Sequence, residues 1–221
     1  MNRALVIGAS GGIGGAIAHA LRGRGVEVTG LSRSADGLDV TDEASIEAAL
    51  GRLDGPFDLI FVATGKLDGA GHPPEKAIAA VTPEALMDQF RVNAMGPMLL
   101  LKHALPLIPK ERPATFAVLS ARVGSIVDNA IGGWHSYRAA KAALNQLIHG
   151  AAIELRRTRR QACAVCLHPG TVHTAFTAPY AARHATVAPD EAAARLVSVI
   201  DGLTPAQSGG FYDYEGREIP W

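Results

Sequence analysis

Short runs of β-branched and apolar residues alternate along the chain with longer segments whose apolar residues recur at helical spacing. Strands are predicted over Arg3–Ile7, Val26–Leu31, Phe57–Val62, Ala114–Leu119, Ala162–Leu167 and Gly210–Tyr214. Phe57–Val62 reads as an apolar run, as expected for a parallel strand buried on both faces. Helices are predicted over about Gly12–Arg22, from Thr41-Asp42-Glu43 onward, over about Trp134–Arg160 and over Pro189–Ile200. Ile46, Ala49, Leu50 and Leu53 give the second its inward face. Ala140, Leu144, Leu147, Ile148, Ala151 and Leu155 form the stripe of the long one. A further helix starts at Thr82-Pro83-Glu84, with Thr82 as cap and Pro83 in the first turn, and reaches Leu105 with a kink at Pro97.

Strand–helix alternation over the whole length predicts an α/β fold. We expect a single doubly wound Rossmann-type domain spanning residues 1–221, with a parallel sheet of about seven strands and helices on both faces. No repeat period and no low-complexity linker divides the chain. In such sheets the ligand lies outside the carboxyl ends of the strands, so functional residues are sought just after strands.

Composition narrows the function classes. The chain has 221 residues, 48% hydrophobic and 19% charged, which excludes general disorder. Lys+Arg and Asp+Glu are 21 each, so no charge excess points to nucleic acid. No apolar run approaches the roughly 20 residues of a membrane span. The apolar start Ala4-Leu5-Val6-Ile7 stops at Gly8 and reads as a strand rather than a signal peptide, so a cytoplasmic, non-membrane protein is expected. Cys163 and Cys166 form C-x-x-C within a predicted strand, where residues three apart face opposite sides. Both read as core, and no metal site is expected. Arg156, Arg157, Arg159 and Arg160 read as a solvated helix end that suits the dipole.

The first strand–helix junction is Gly8-Ala9-Ser10-Gly11-Gly12-Ile13-Gly14. Glycines let the backbone turn tightly and approach a pyrophosphate, and the following helix start supplies free N–H groups. The second strand ends Leu31-Ser32-Arg33-Ser34, without an acid at its tip. Ser32, Arg33 and Ser34 would suit the 2′-phosphate of NADP(H), whereas Asp36 a little further on leaves NAD(H) as the competing cofactor.

Tyr137 and Lys141 share a helix face, about 6 Å apart along its axis. That pair follows the glycine turn, Asp39-Val40-Thr41-Asp42 and Asn93, and precedes Pro169-Gly170 and Thr174. In this order the set resembles the short-chain dehydrogenase/reductase family over nearly the whole chain. The stretch Ser120–Ser125 and the ending Asp213–Trp221 are similar to the branch of C-factor-like proteins and carbonyl-reductase relatives. The resemblance implies that Tyr137 gives its phenolic proton to a carbonyl oxygen as hydride arrives. Lys141 would lower the Tyr137 pKa and hold the ribose, and Asn93 would anchor a water. It further implies that Asp39 and Val40 flank the adenine, that Ala63, Thr64 and Gly65 approach the adenosine ribose, and that Pro169, Gly170, Val172 and Thr174 contact the nicotinamide side. A small-molecule carbonyl or alcohol substrate and a homodimer or homotetramer, assembled through the long helix with Ala139, Ala142, Ala143 and Ile153, are implied as well.

The sequence departs from the family pattern in places. The second of two adjacent serines usually polarises the substrate carbonyl, and here that position is Ala121. Ser120 is the candidate for the role, with Ser125 the alternative. Asn-Ala-Gly is replaced by Ala63-Thr64-Gly65, and Ile7 stands where a Thr often precedes the first glycine. The segment Ala175–Ala188 is a short substrate lid in this reading, with Phe176, Tyr180 and Trp134 as pocket walls. A second reading, a dinucleotide-binding signalling or sensor protein with little turnover, rests on the alanine at the usual serine position and the C-factor likeness.

Overall fold

The computed structural model describes residues 1–178 and 186–221. Strands β1 (Arg3–Ile7), β2 (Glu27–Leu31), β3 (Leu59–Val62), β4 (Ala114–Leu119), β5 (Ala162–His168) and β6 (Phe211–Asp213) form one parallel sheet in the order β2-β1-β3-β4-β5-β6. The described residues give six strands where about seven were expected. β6 is the last, and among the described residues its outer side carries only an antiparallel bridge from Tyr212 to Glu218.

Alternation along each strand divides the core in two. On one face Leu5, Ile7, Ile60, Val62, Phe116 and Val118 are covered by α3 (Glu43–Leu50), α5 (Gly96–Ala104) and α6 (His135–Thr158). On the other, Ala4, Val6, Leu59, Phe61, Ala117 and Leu119 are covered by α1 (Gly12–Gly23) and α7 (Pro189–Gly202). Burial of each large aliphatic contributes about 1.5–3 kcal/mol, so a one-residue slip of any central strand would be prohibitive. Cys163 belongs to one face and Cys166 to the other, and burial pushes both thiols up to about 12.

The predicted caps form. Asp42 caps α3 by accepting from the Ala44 amide at 3.0 Å. Thr82 caps α4 (Pro83–Phe90) by accepting from the Ala85 amide at 3.1 Å. The kink expected at Pro97 lies upstream, as a π-helical stretch over Arg91–Met95. Pro97 has no N–H for the carbonyl of Asn93 four residues earlier, so the regular ladder fails before the proline rather than at it.

The chain enters the sheet at β1, moves outward to β2, then crosses back to β3 on β1's other side. The reversal opens a crevice between the carboxyl ends of β1 and β3, where the glycine turn begins.

Candidate active site

Gly8 follows β1 with φ +88°, a conformation that favours glycine. A Cβ there would lie 3.0 Å from the carbonyl carbon of Ala63, at the end of β3. A Cβ on Gly14 would collide with the Gly8 carbonyl oxygen, so α1 can start this close to the strand only with glycine at that position. Gly11 is the N-cap of α1 and offers no side-chain acceptor, which leaves the first-turn amides to an outside partner. Ser10, Gly11 and Gly12 are exposed, while Ile13 packs partly into the core beneath. Thr174 closes the cradle from the far side, its Cγ2 only 2.6 Å from where a Gly12 Cβ would stand. Thr64 Oγ1 is buried without a partner among the described residues. A glycine cradle, a helix start without a cap side chain and a nearby orphan hydroxyl fit a dinucleotide pyrophosphate.

At the tip of β2, Ser32 is buried and caps the short helix α2 (Arg33–Asp36), accepting from the Ala35 amide at 3.1 Å. The Asp36 carboxylate turns back to accept from the Ser32 amide at 2.7 Å. Arg33 and Ser34 are exposed, and Arg33 forms no ion pair among the described residues. Of the predicted trio, Arg33 and Ser34 face solvent, where a phosphate could reach them, although the Ser34 hydroxyl also lies 3.5 Å from that of Ser32, which is already engaged as the cap. Asp39 accepts from the amide and hydroxyl of Thr41, at 2.8 and 2.7 Å, and these bonds hold its carboxyl below the usual range. Val40 is buried, its carbonyl 2.7 Å from a Cβ placed on Gly96, so the start of α5 approaches this loop closely.

Tyr137 and Lys141 lie on the buried face of α6, with the Lys141 Nζ 5.8 Å from the Tyr137 ring centre. Nζ donates to the Leu119 carbonyl at the end of β4, at 2.9 Å. Gly124 lets the following turn approach α6, since a Cβ there would stand 2.8 Å from the Lys141 Cβ. Burial lowers Lys141 to about 8. Burial also raises Tyr137 above its ordinary value of 10.0. The expectation is a Tyr137 lowered by Lys141; in the protein alone the shift runs upward, and burial of the phenol is its cause.

Asn93 is fully buried in the π-helical stretch. Its Oδ1 accepts from the Lys66 amide at 3.1 Å, and its Nδ2 donates to the Lys66 carbonyl at 2.8 Å and to Gln89 Oε1. A Cβ on Gly65 would stand 2.9 Å from Asn93 Oδ1 and 3.9 Å from Lys141 Nζ, so these three converge. Ser120 is buried and donates to Asn145 Oδ1 at 2.6 Å. Ser125 is also buried and accepts from the Asp128 amide at 3.1 Å. Asn145 was missed in the sequence. It is four residues past Lys141 on the same face, a polar residue beside the apolar stripe, and its Nδ2 has no partner among the described residues.

After β5, Gly170 adopts φ +77° against the Tyr214 ring, and Val172 is buried, bridging to Val187. This loop carries Pro169 and leads to Thr174 at the glycine turn. Of the three expected pocket walls, the Trp134 ring is 6.2 Å and the Phe176 ring 6.5 Å from that of Tyr137, neither lines the cavity beside it, and Tyr180 lies outside the described residues. A cavity of about 280 Å³ borders Tyr137, walled by Leu67, Pro73, Pro74, Glu75, Gln89 and Ser136. The sequence offered no sign of Glu75 or Gln89, because both come from segments without a motif.

A glycine cradle at the switch point of a parallel sheet and a buried Tyr–Lys pair near the end of β4 are the features that the comparisons with known proteins meet. The family model described as enoyl-(acyl carrier protein) reductase matches residues 8–201. The chain belongs to the short-chain dehydrogenase/reductase family. It is 32% identical to 1-hydroxy-2-glutathionyl-2-methyl-3-butene dehydrogenase of Rhodococcus sp. (strain AD45), over all of both chains. It is 36% identical to C-signal of Myxococcus xanthus over 60% of this chain and 76% of that one. Among solved structures, a short-chain dehydrogenase/reductase from Burkholderia multivorans with bound NADP superposes with TM-score 0.82 and 27% identity, covering 100% of this chain and 99% of that one. Among the described residues, no helix is long and apolar enough to cross a membrane.

Proposed function

We propose that the chain is an NADP(H)-dependent oxidoreductase that interconverts a carbonyl and an alcohol on a small molecule, with Tyr137 as the proton-transferring group. The observation that carries this reading is the buried Lys141 Nζ, 5.8 Å from the Tyr137 ring centre and beside Gly65. The nicotinamide, when bound, supplies or accepts the hydride. Gly8, Gly11, Gly12, Ile13 and Gly14 present backbone to the pyrophosphate, and Arg33 with Ser34 takes the 2′-phosphate. Asp39, Val40, Ala63, Thr64 and Gly65 flank the adenosine half, and Pro169, Gly170, Val172 and Thr174 the nicotinamide half. A tyrosine raised by burial stays protonated across neutral pH, which suits proton donation to a carbonyl. The Lys141 ammonium stabilises the phenolate left behind and holds the ribose hydroxyls. Asn93, held on the Lys66 backbone, anchors a water that links Lys141 to solvent and so lets it regain a proton. Ser120 orients the carbonyl when its hydroxyl turns from Asn145. The Rhodococcus relative named as a dehydrogenase and the NADP-bound Burkholderia structure support the reaction and cofactor classes. Assembly into a homodimer or homotetramer across α6 belongs to the same reading; Ile153 there is 50% exposed.

The test is NADPH consumption against a panel of aldehydes, ketones and quinones. Wild type turns over, and Tyr137→Phe loses about 10²- to 10⁴-fold in kcat while binding NADPH within a few-fold. Equal slow rates in both would instead favour a dinucleotide-binding sensor. That second reading is supported by the Ser120 hydroxyl being committed to Asn145, with alanine at 121, and by the C-signal likeness.

A further inference from the structure

Helix α6, which carries Tyr137 and Lys141, begins without a cap of its own. Its N-cap is Trp134, which has no side-chain acceptor for the first-turn amides and stands at φ 51°, ψ 40°. Gly132 and Gly133 before it have φ +70° and +65°, so three consecutive residues are left-handed and the last is a bulky tryptophan. Such a backbone persists only where its surroundings hold it.

Glu75, from the loop between β3 and α4, holds it at three points. Its backbone carbonyl accepts from the Trp134 amide at 2.5 Å. Its carboxylate accepts from the Ser136 amide at 3.2 Å, in the first turn of α6, and from the Ser136 hydroxyl. A carboxylate thus caps the catalytic helix from 61 residues away, where the positive end of the helix favours it. Glu75 is only 7% exposed, and the Ser136 bonds keep its carboxyl below the ordinary range although burial alone would raise it. The loop is itself anchored at its other end. Asn93 bonds the Lys66 backbone, Gln89 Nε2 donates to the Leu67 and Asp68 carbonyls at 2.9 and 2.7 Å, and Asp88 accepts from Lys66 Nζ at 2.7 Å. The tyrosine follows Ser136 directly, and the Trp134 ring meets its edge at 6.2 Å.

We infer that Glu75 is a positioning residue for the reaction proposed above: it fixes the Trp134 turn and the first turn of α6, and so sets where Tyr137 stands. This rests on the carbonyl-reductase reading. A misplacement of about 1 Å can cost about 10²-fold in rate. Glu75→Ala therefore lowers kcat about 10- to 100-fold, with NADPH Kd within about 3-fold, because the glycine turn lies on other elements. Glu75→Gln keeps one acceptor for Ser136 and recovers most of the loss. A kcat for Glu75→Ala within about 3-fold of wild type overturns the inference, as does a parallel loss of kcat and NADPH affinity that Glu75→Gln does not relieve. A second arm needs no turnover. The chain has 2 tryptophans, so in a Trp221→Phe background the emission reports Trp134 alone. There Glu75→Ala should shift the emission and raise acrylamide quenching; unchanged emission overturns the inference. If wild type reduces no carbonyl, the functional reading fails while this arm still decides the role of Glu75.

Discussion

Lys141 is the point at which the proposed chemistry and stability oppose each other most directly. Its ammonium is buried, with one bond to the Leu119 carbonyl, and burial lowers it from 10.5 to about 8. Each pKa unit corresponds to about 1.4 kcal/mol, so keeping the group charged at pH 7 costs the fold about 3 kcal/mol. Lys141→Met removes the charge at similar volume and gives up one hydrogen bond, worth about 1 kcal/mol. The variant is therefore expected to be more stable by about 2 kcal/mol at pH 7, a rise in Tm of about 4–8 °C for a chain of this length. The pH dependence has a fixed sign. The folded value is below the unfolded one, so between about 8 and 10.5 the unfolded chain binds more protons and wild-type stability rises with pH. Below about 8 the cost is present in full, so the gap between variant and wild type narrows from pH 8 upward. Urea unfolding at pH 7 and pH 10 measures it. Reductase activity should be lost in the same variant, and wild-type activity should fall above about pH 8 as the ammonium deprotonates. A Lys141→Met protein less stable than wild type at pH 7, or a gap that does not change with pH, would refute the reasoning.

Three further substitutions test the site. Arg33→Ala should raise the NADPH Kd about 10-fold or more, the size of one charged hydrogen bond, while NADH changes by less than about 3-fold; equal losses would reverse the cofactor assignment. Ser120→Ala should lower kcat about 100- to 1,000-fold if its hydroxyl polarises the carbonyl, with Ser125→Ala near wild type. The opposite ranking would move the role to Ser125.

Much of the fold was legible from local rules. Strand and helix existence followed from apolar periodicity, and the caps at Asp42 and Thr82 from residue type and spacing. Boundaries drifted by a residue or two where irregular backbone intervenes, as at β3. It starts at Leu59 rather than Phe57, after the turn containing Gly55 and Pro56. The opposite placement of Cys163 and Cys166 needed only the two-residue period of a strand.

The motif residues were legible for the same local reason: a glycine forced by φ or by close approach, and a Tyr–Lys pair set by helical spacing, are properties of short stretches of chain. What the sequence could not give depends on segments meeting across space. The Asn145 partner of Ser120, the grip of Asn93 and Gln89 on the loop after β3, and the Glu75 cap on α6 all join residues far apart in the chain. The direction of the Tyr137 shift was also decided there. Spacing places an ammonium beside a phenol, but only the packed structure shows how far both are removed from water, and that burial sets the direction of both shifts.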